Sequence, residues 1–165
     1  MNEREIDQLR WRDFALREAI GGARCVLWES RVTQRPDGKY AWNFKLLSPE
    51  STRREFGFVR TAPDTANNND NETYHQRIPP EELARMDGVS HQALTRGEKG
   101  YQQEFMLIAA DGTPRYMNEY VRIVVDGPGI WNLFGVQVDI TERKRGEDEQ
   151  RLRDEELRRG KSAEA

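Results

Sequence analysis

The chain has 165 residues, of which 36% are hydrophobic and 33% charged, with a net charge of −3. This length suits one domain with extensions, and interspersed acids and bases give no electrostatic case for nucleic acid or a polybasic membrane contact. A lone cysteine, Cys25, permits no intrachain disulfide and fits a reducing cytoplasm; no apolar run approaches the roughly 20 residues of a membrane span.

Residues 1–22 read as a flanking helix. Ile6, Leu9, Leu16 and Ile20 fall on a heptad seam, with Asp13 as its polar exception. Trp11 and Phe14 lie on another face of the same helix. Two apolar faces suit two partners, the domain's own sheet and a second subunit, and equally a single broad face on one core. The seam sets the expectation of a homodimer, and Gly21-Gly22 ends the helix.

A strand follows from Ala23 to Thr33, then the turn "RPDGK" and a returning strand "YAWNFKLLS". Ser48 is an N-cap candidate, with Pro49 at a first helical position. The stretch "TAPDTANNNDNETYHQRIPP" reads as short helical turns with an exposed loop. "PPEELARMDGVSHQALTRGEKG" predicts a helix with Leu83, Met86, Val89 and Leu94 as its apolar positions and Gly88 as a local weakness. Three strand-like runs come next, separated by "DGTP" and "DGPG", and Asp-Gly between apolar runs signals a hairpin. The order predicts an α+β domain: a five-stranded antiparallel sheet with helices on one face.

From Glu142 the tail carries eight acidic and eight basic residues. Glu147–Arg151, Glu149–Arg153, Asp154–Arg158 and Glu155–Arg159 place the acid four residues before the base, the orientation that favours a helix. Its few apolar residues, such as Leu152 and Leu157, form no heptad seam, so the helix is solvated, frayed or held by a parallel partner.

The segments "EFMLIAADGTPRYM" and "FGVQVDITERKR", with "LSPESTRREFGF" after the second strand, resemble the PAS sensory domain, in the subtype that ends in Asp-Ile-Thr-Glu-Arg. The resemblance covers roughly residues 23 to 145 and is specific at its C-terminal end. It implies a PAS domain over residues 23–141 and a C-terminal connector helix or frayed tail over 142–165. It further implies that Asp139, Ile140 and Thr141 form the junction where the last strand passes a signal to the departing helix. The oxygen of Asp139 or Thr141 is then a candidate cap for that helix, with Ile140 staying on the sheet.

PAS domains bind a cofactor, a small molecule or another PAS domain, and each possibility meets particular residues here. The photoreactive flavin branch has a strand similar to "GVQVD", whose glutamine corresponds to Gln137. Its Asn-Cys-Arg-Phe motif is missing from this sequence, and Cys25 lies in the first strand, so photoreactive flavin is disfavoured. A PAS haem sensor uses a histidine of the helical region, which makes His91 the better candidate and His75 the other. An organic ligand would find aromatic walls in Trp28, Trp42, Phe105, Tyr116, Tyr120 and Trp131, residues that serve equally as core. Phe105 and Leu107 share one strand face, Glu104 and Met106 the other, with the inner face undetermined by sequence.

No zinc spacing, nucleophile elbow, phosphate loop or compact acid–base constellation is present in the sequence. The expectation is a non-catalytic, cytoplasmic sensory or relay module of a bacterial signalling protein. It would act on a linked or associated output domain such as a histidine kinase or diguanylate cyclase. The alternative is a constitutive PAS dimerisation module with no ligand.

Overall fold

The computed structural model describes residues 2–6, 10, 25–47 and 75–163. Strand β1 (Cys25–Gln34) turns at Asp37-Gly38 into β2 (Tyr40–Leu46). Gly38 holds a φ of 82°, open to glycine at little steric cost, while Asp37 Oδ1 accepts the Lys39 N–H at 2.9 Å. Helix α1 (Pro80–Thr95) leads to β3 (Gly100–Ile108), β4 (Pro114–Gly127) and β5 (Ile130–Asp139), and helix α2 (Thr141–Ala163) follows. The β3–β4 turn repeats the first device: Asp111 Oδ1 accepts the Thr113 N–H at 3.0 Å, and Gly112 sits at a φ of 81°.

The sheet order is β2-β1-β5-β4-β3, with every pair antiparallel. The early hairpin and the late three-strand meander join through β1 and β5, which run from Cys25 opposite Val138 to Thr33 opposite Ile130. Alternation along the strands then sorts the two faces. Val26, Trp28, Phe105, Leu107, Met117 and Leu133 are buried on the inner face, where α1 adds Met86, Ala93 and Leu94. Trp28 lies opposite Gly135, and a Cβ there would collide with the indole, so the glycine makes room for the ring.

Helix α1 starts with Pro80 in its first turn, and Glu81 and Glu82 sit at its positive end. It continues unbroken through Gly88, whose expected weakness does not interrupt the hydrogen-bonded ladder. Side chains of α1 reach the free edge of β3: Glu82 Oε2 accepts the Met106 N–H at 2.9 Å and Arg85 donates to the Glu104 carbonyl. Farther along the same strand, the Ile108 N–H donates to the Arg77 carbonyl at 2.7 Å.

Residues 3–6 are helical, and Asn2 and Glu5 exchange side-chain-to-backbone hydrogen bonds of 2.9 Å each, a capping box. Ile6 of the predicted seam is half-buried there. Leu9, Leu16 and Ile20, with Trp11, Phe14, Gly21-Gly22, Ser48 and Pro49, lie outside the described residues. Helix α2 runs for 23 residues and buries only Thr141. Ion pairs within the helix include Arg143–Glu147 at 3.5 Å and Asp148–Arg151 at 3.4 Å, neither of them among the four expected from spacing. Exposed pairs are worth only ~0.5 kcal/mol, too little to fix one partner choice among several.

Candidate functional site

Between α1 and the inner face of the sheet lies a cavity of about 370 Å³. Its floor is a row of three polar side chains drawn from three adjacent strands. The β3–β4 register sets Gln103 opposite Glu119, and the β4–β5 register sets Glu119 opposite Gln137. All three are buried, with exposures of 8%, 3% and 1% respectively. The Glu119 carboxylate accepts from Trp28 Nε1 at 3.1 Å, from Gln103 Nε2 at 2.9 Å and from Gln137 Nε2.

Burial pushes the Glu119 pKa up, and the hydrogen bonds from Gln103, Gln137 and Trp28 pull against that shift without reversing it. The same desolvation raises the Tyr101 phenol in the cavity wall, with Glu119 and Asp87 adding to it. All three donors to Glu119 are neutral. Gln103 spends its amide N–H on the carboxylate, and its Oε1 receives no hydrogen bond. An unsatisfied buried acceptor costs about 1–3 kcal/mol.

The walls are aromatic. Trp28 lies 5.2 Å from Phe44 and 6.5 Å from Trp42 between ring centroids, and Phe44 lies 6.2 Å from His75. Burial lowers the His75 pKa against the opposing pull of Asp87, which favours the neutral imidazole. Asp87 is itself raised by desolvation, and His75 draws it back. At the mouth, Tyr40 packs edge-on against His91 at 5.1 Å and Trp131 at 5.5 Å. Lys39, exposed, and Ser90 complete the polar lining.

Of the residues expected to meet a ligand, Trp28, Trp42, His91 and Gln137 converge on this cavity. Phe105 instead packs in the core among Leu107 and Met117 and does not line it. Tyr120 is a correction: it is 49% exposed on the opposite face of the sheet. On β4 the inner phase runs Met117, Glu119, Val121 and Ile123, which throws Tyr120 and Tyr116 outward. His91 is exposed and packed on Tyr40 at the rim, a placement that gives haem no support. Cys25 is buried in β1 outside the cavity lining, with its thiol pKa raised by burial.

Sequence reasoning missed Glu119 and Gln103. The available signal was phase: in "YMNEYVRIVV" a glutamate occupies the apolar register of the strand, between Met117 and Val121. A carboxylate in that register is either a bulge or a buried functional group. Among the described residues, no cluster of three or more metal-ligating side chains is present.

The end of β5 forms a compact knot with β4. Asp139 Oδ1 accepts both the Thr141 N–H at 2.9 Å and the Thr141 hydroxyl, and so caps α2. Thr141 Oγ1 faces the other way and accepts the Tyr116 N–H at 2.9 Å, while the Ile140 N–H donates to the Tyr116 carbonyl at 2.8 Å. Of the two cap candidates, Asp139 caps the helix and Thr141 ties it to the sheet. Arg115 Nε lies 3.2 Å from Asp139 Oδ2, close enough for an ion pair but without the direction of a hydrogen bond. Glu104 on β3 adds an exposed clamp on the first turn of α2, reaching Arg143 at 3.1 Å and Lys144 at 2.7 Å.

No protein-family model matches the chain, and no curated protein matches it either. Solved structures do. A sensory box histidine kinase/response regulator from Burkholderia thailandensis is 23% identical at a TM-score of 0.59, covering 87% of this chain and 98% of its own. A PAS domain from Colwellia psychrerythraea is 10% identical at a TM-score of 0.50, covering 81% and 98%. With the strand order and the junction above, these likenesses define the class: the chain has the PAS fold.

Proposed function

We propose that this chain is a non-catalytic sensory or relay module, with its domain spanning residues 23–141 and residues 142–165 serving as connector. It takes a small organic molecule in the cavity under α1 and passes the change through α2 to an output domain such as a histidine kinase or diguanylate cyclase. Residence in a bacterial cytoplasm belongs to the same reading. The observation that carries it is the placement of the polar floor. Gln137 stands two residues before Asp139 on β5, and Glu119 stands three residues after Tyr116 on β4. A ligand that moved either side chain would pull on the two strands whose ends hold the cap of α2.

A cap contributes about 1 kcal/mol, so shifts of that size at the floor are enough to change the helix population several-fold. The experiment is native mass spectrometry with an absorption spectrum of freshly purified full chain. A stoichiometric small molecule is expected, and its loss on replacing Gln137 by Leu would place it in this cavity. A chain that carries nothing and binds nothing in a metabolite screen would sink the ligand reading.

The second reading, a constitutive association module, is favoured by the outer face of the sheet, where Tyr120, Phe134, Val136 and Val138 are exposed. In the first reading as in this one, the homodimer forms through the seam of Ile6, Leu9, Leu16 and Ile20. Leu9→Asp with Leu16→Asp should then give monomers in sedimentation, and an undisturbed dimer would remove the seam from consideration.

A further inference from the structure

We propose that the cavity selects an aromatic organic cation, its ammonium N–H groups shared between Gln103 Oε1 and the Glu119 carboxylate. The inference rests on the ligand reading above and adds the charge and class of the molecule. Its first support is a pair of adjacent acceptors on the floor, one lacking a donor and the other lacking a cation. Gln103 Oε1 is buried and receives no donor, and the adjacent Glu119 carboxylate is bound by three neutral N–H groups and no cation. A buried carboxylate without a positive partner is costly, and a ligand bringing both charge and N–H donors would satisfy both groups at once.

The second support is the wall. Trp28, Trp42 and Phe44 present ring surfaces within one cluster, and Tyr101 flanks the floor. Ring faces attract a cation and stack on an aromatic body. The remaining charges agree with this polarity. Burial shifts His75 towards the neutral imidazole, and Lys39 and Asp87 lie exposed with opposite signs, so Glu119 is the one carboxylate on the buried floor among the described lining residues. At about 370 Å³ the cavity has room for a bicyclic ring with a short amine arm.

Calorimetric titration of the full chain with three probes of one shape tests the inference: tryptamine (cationic), tryptophol (neutral) and indole-3-acetate (anionic). Tryptamine should bind at least about tenfold more tightly than tryptophol, the margin of a charged hydrogen bond over a neutral one, with indole-3-acetate weakest. Glu119→Gln should bring tryptamine down to the level of tryptophol and leave tryptophol unchanged, an outcome that a merely structural role would not give. Gln103→Leu, which removes the acceptor and leaves the charge, should weaken both. Equal or tighter binding of the neutral or anionic probe overturns the inference while leaving the ligand reading intact. Purified chain carrying a neutral or anionic molecule in the cavity does the same. If no probe binds and native mass spectrometry finds no bound molecule, the ligand reading falls and the inference with it.

Discussion

Each face of this sheet breaks the usual rule of polarity at one place. The inner face buries Gln103, Glu119 and Gln137 in a row, whereas the outer face leaves Tyr120, Phe134 (45% exposed), Val136 and Val138 in contact with solvent. Both come from the same strands, one residue apart. On the inner face the polar groups are bonded to each other and to Trp28, so their burial is compensated except at one oxygen. On the outer face Asn118 accepts from Gln102 at 3.3 Å and donates to the Tyr120 hydroxyl at 2.9 Å, while Phe134, Val136 and Val138 are exposed apolar side chains. The inner polar row is therefore specified by direction, and the Phe134, Val136 and Val138 patch of the outer face by area. Substitutions on the two should differ in size and in kind.

Trp28→Ala should give the largest effect, since it empties the centre of the aromatic wall and removes a donor from Glu119. A loss of ~3–5 kcal/mol is expected in urea unfolding followed by fluorescence or circular dichroism. Gly135→Ala attacks the same ring from behind. The new methyl meets the indole, and overpacking should cost ~1–3 kcal/mol; a silent substitution would mean that the ring is free to move. Asp139→Ala removes the cap of α2 and should cost about 1 kcal/mol, with helical signal lost while the sheet is kept.

Glu119→Gln should act in the opposite direction at neutral pH. Its folded pKa is raised, so the folded domain holds that proton more tightly than the unfolded chain does. Stability should then fall as pH rises from the ordinary carboxylate range through the raised value. The glutamine variant should lose that slope and melt no lower than the parent at pH 7. A parent whose melting temperature climbs with pH across this window would contradict the buried-charge account. At the small end, Val136→Thr on the outer face should stay within ~0.5 kcal/mol of the parent. A larger loss would show that this face is covered in solution.

Much of this was legible in the sequence, and the exceptions have physical causes. Asp37-Gly38 and Asp111-Gly112 announced their turns because few residues other than glycine enter the left-handed region cheaply. The cap at the start of α2 was legible because a cap is a local interaction, although the division of labour between Asp139 and Thr141 was not. The pairing of β1 with β5 spans about a hundred residues and leaves no local mark. Tyr120 was misplaced because an aromatic residue counts as apolar in either phase, and only the burial of Met117, Val121 and Ile123 decides which phase faces inward. Glu119 was missed because a carboxylate is taken for solvent-facing until its neighbours are known to be donors.

The contacts along the free edge of β3 bear on how copies of this domain avoid one another. An edge strand offers outward N–H and C=O groups to any passing strand, a standing invitation to aggregation. Here the Glu104 carbonyl, the Met106 N–H and the Ile108 N–H are already engaged by Arg85, Glu82 and the Arg77 carbonyl. The Glu104 side chain adds charge at the same place through its pairs with Arg143 and Lys144. Sheet extension from this edge is thus blocked at three successive outward-facing residues, and a neighbouring strand finds no open ladder there.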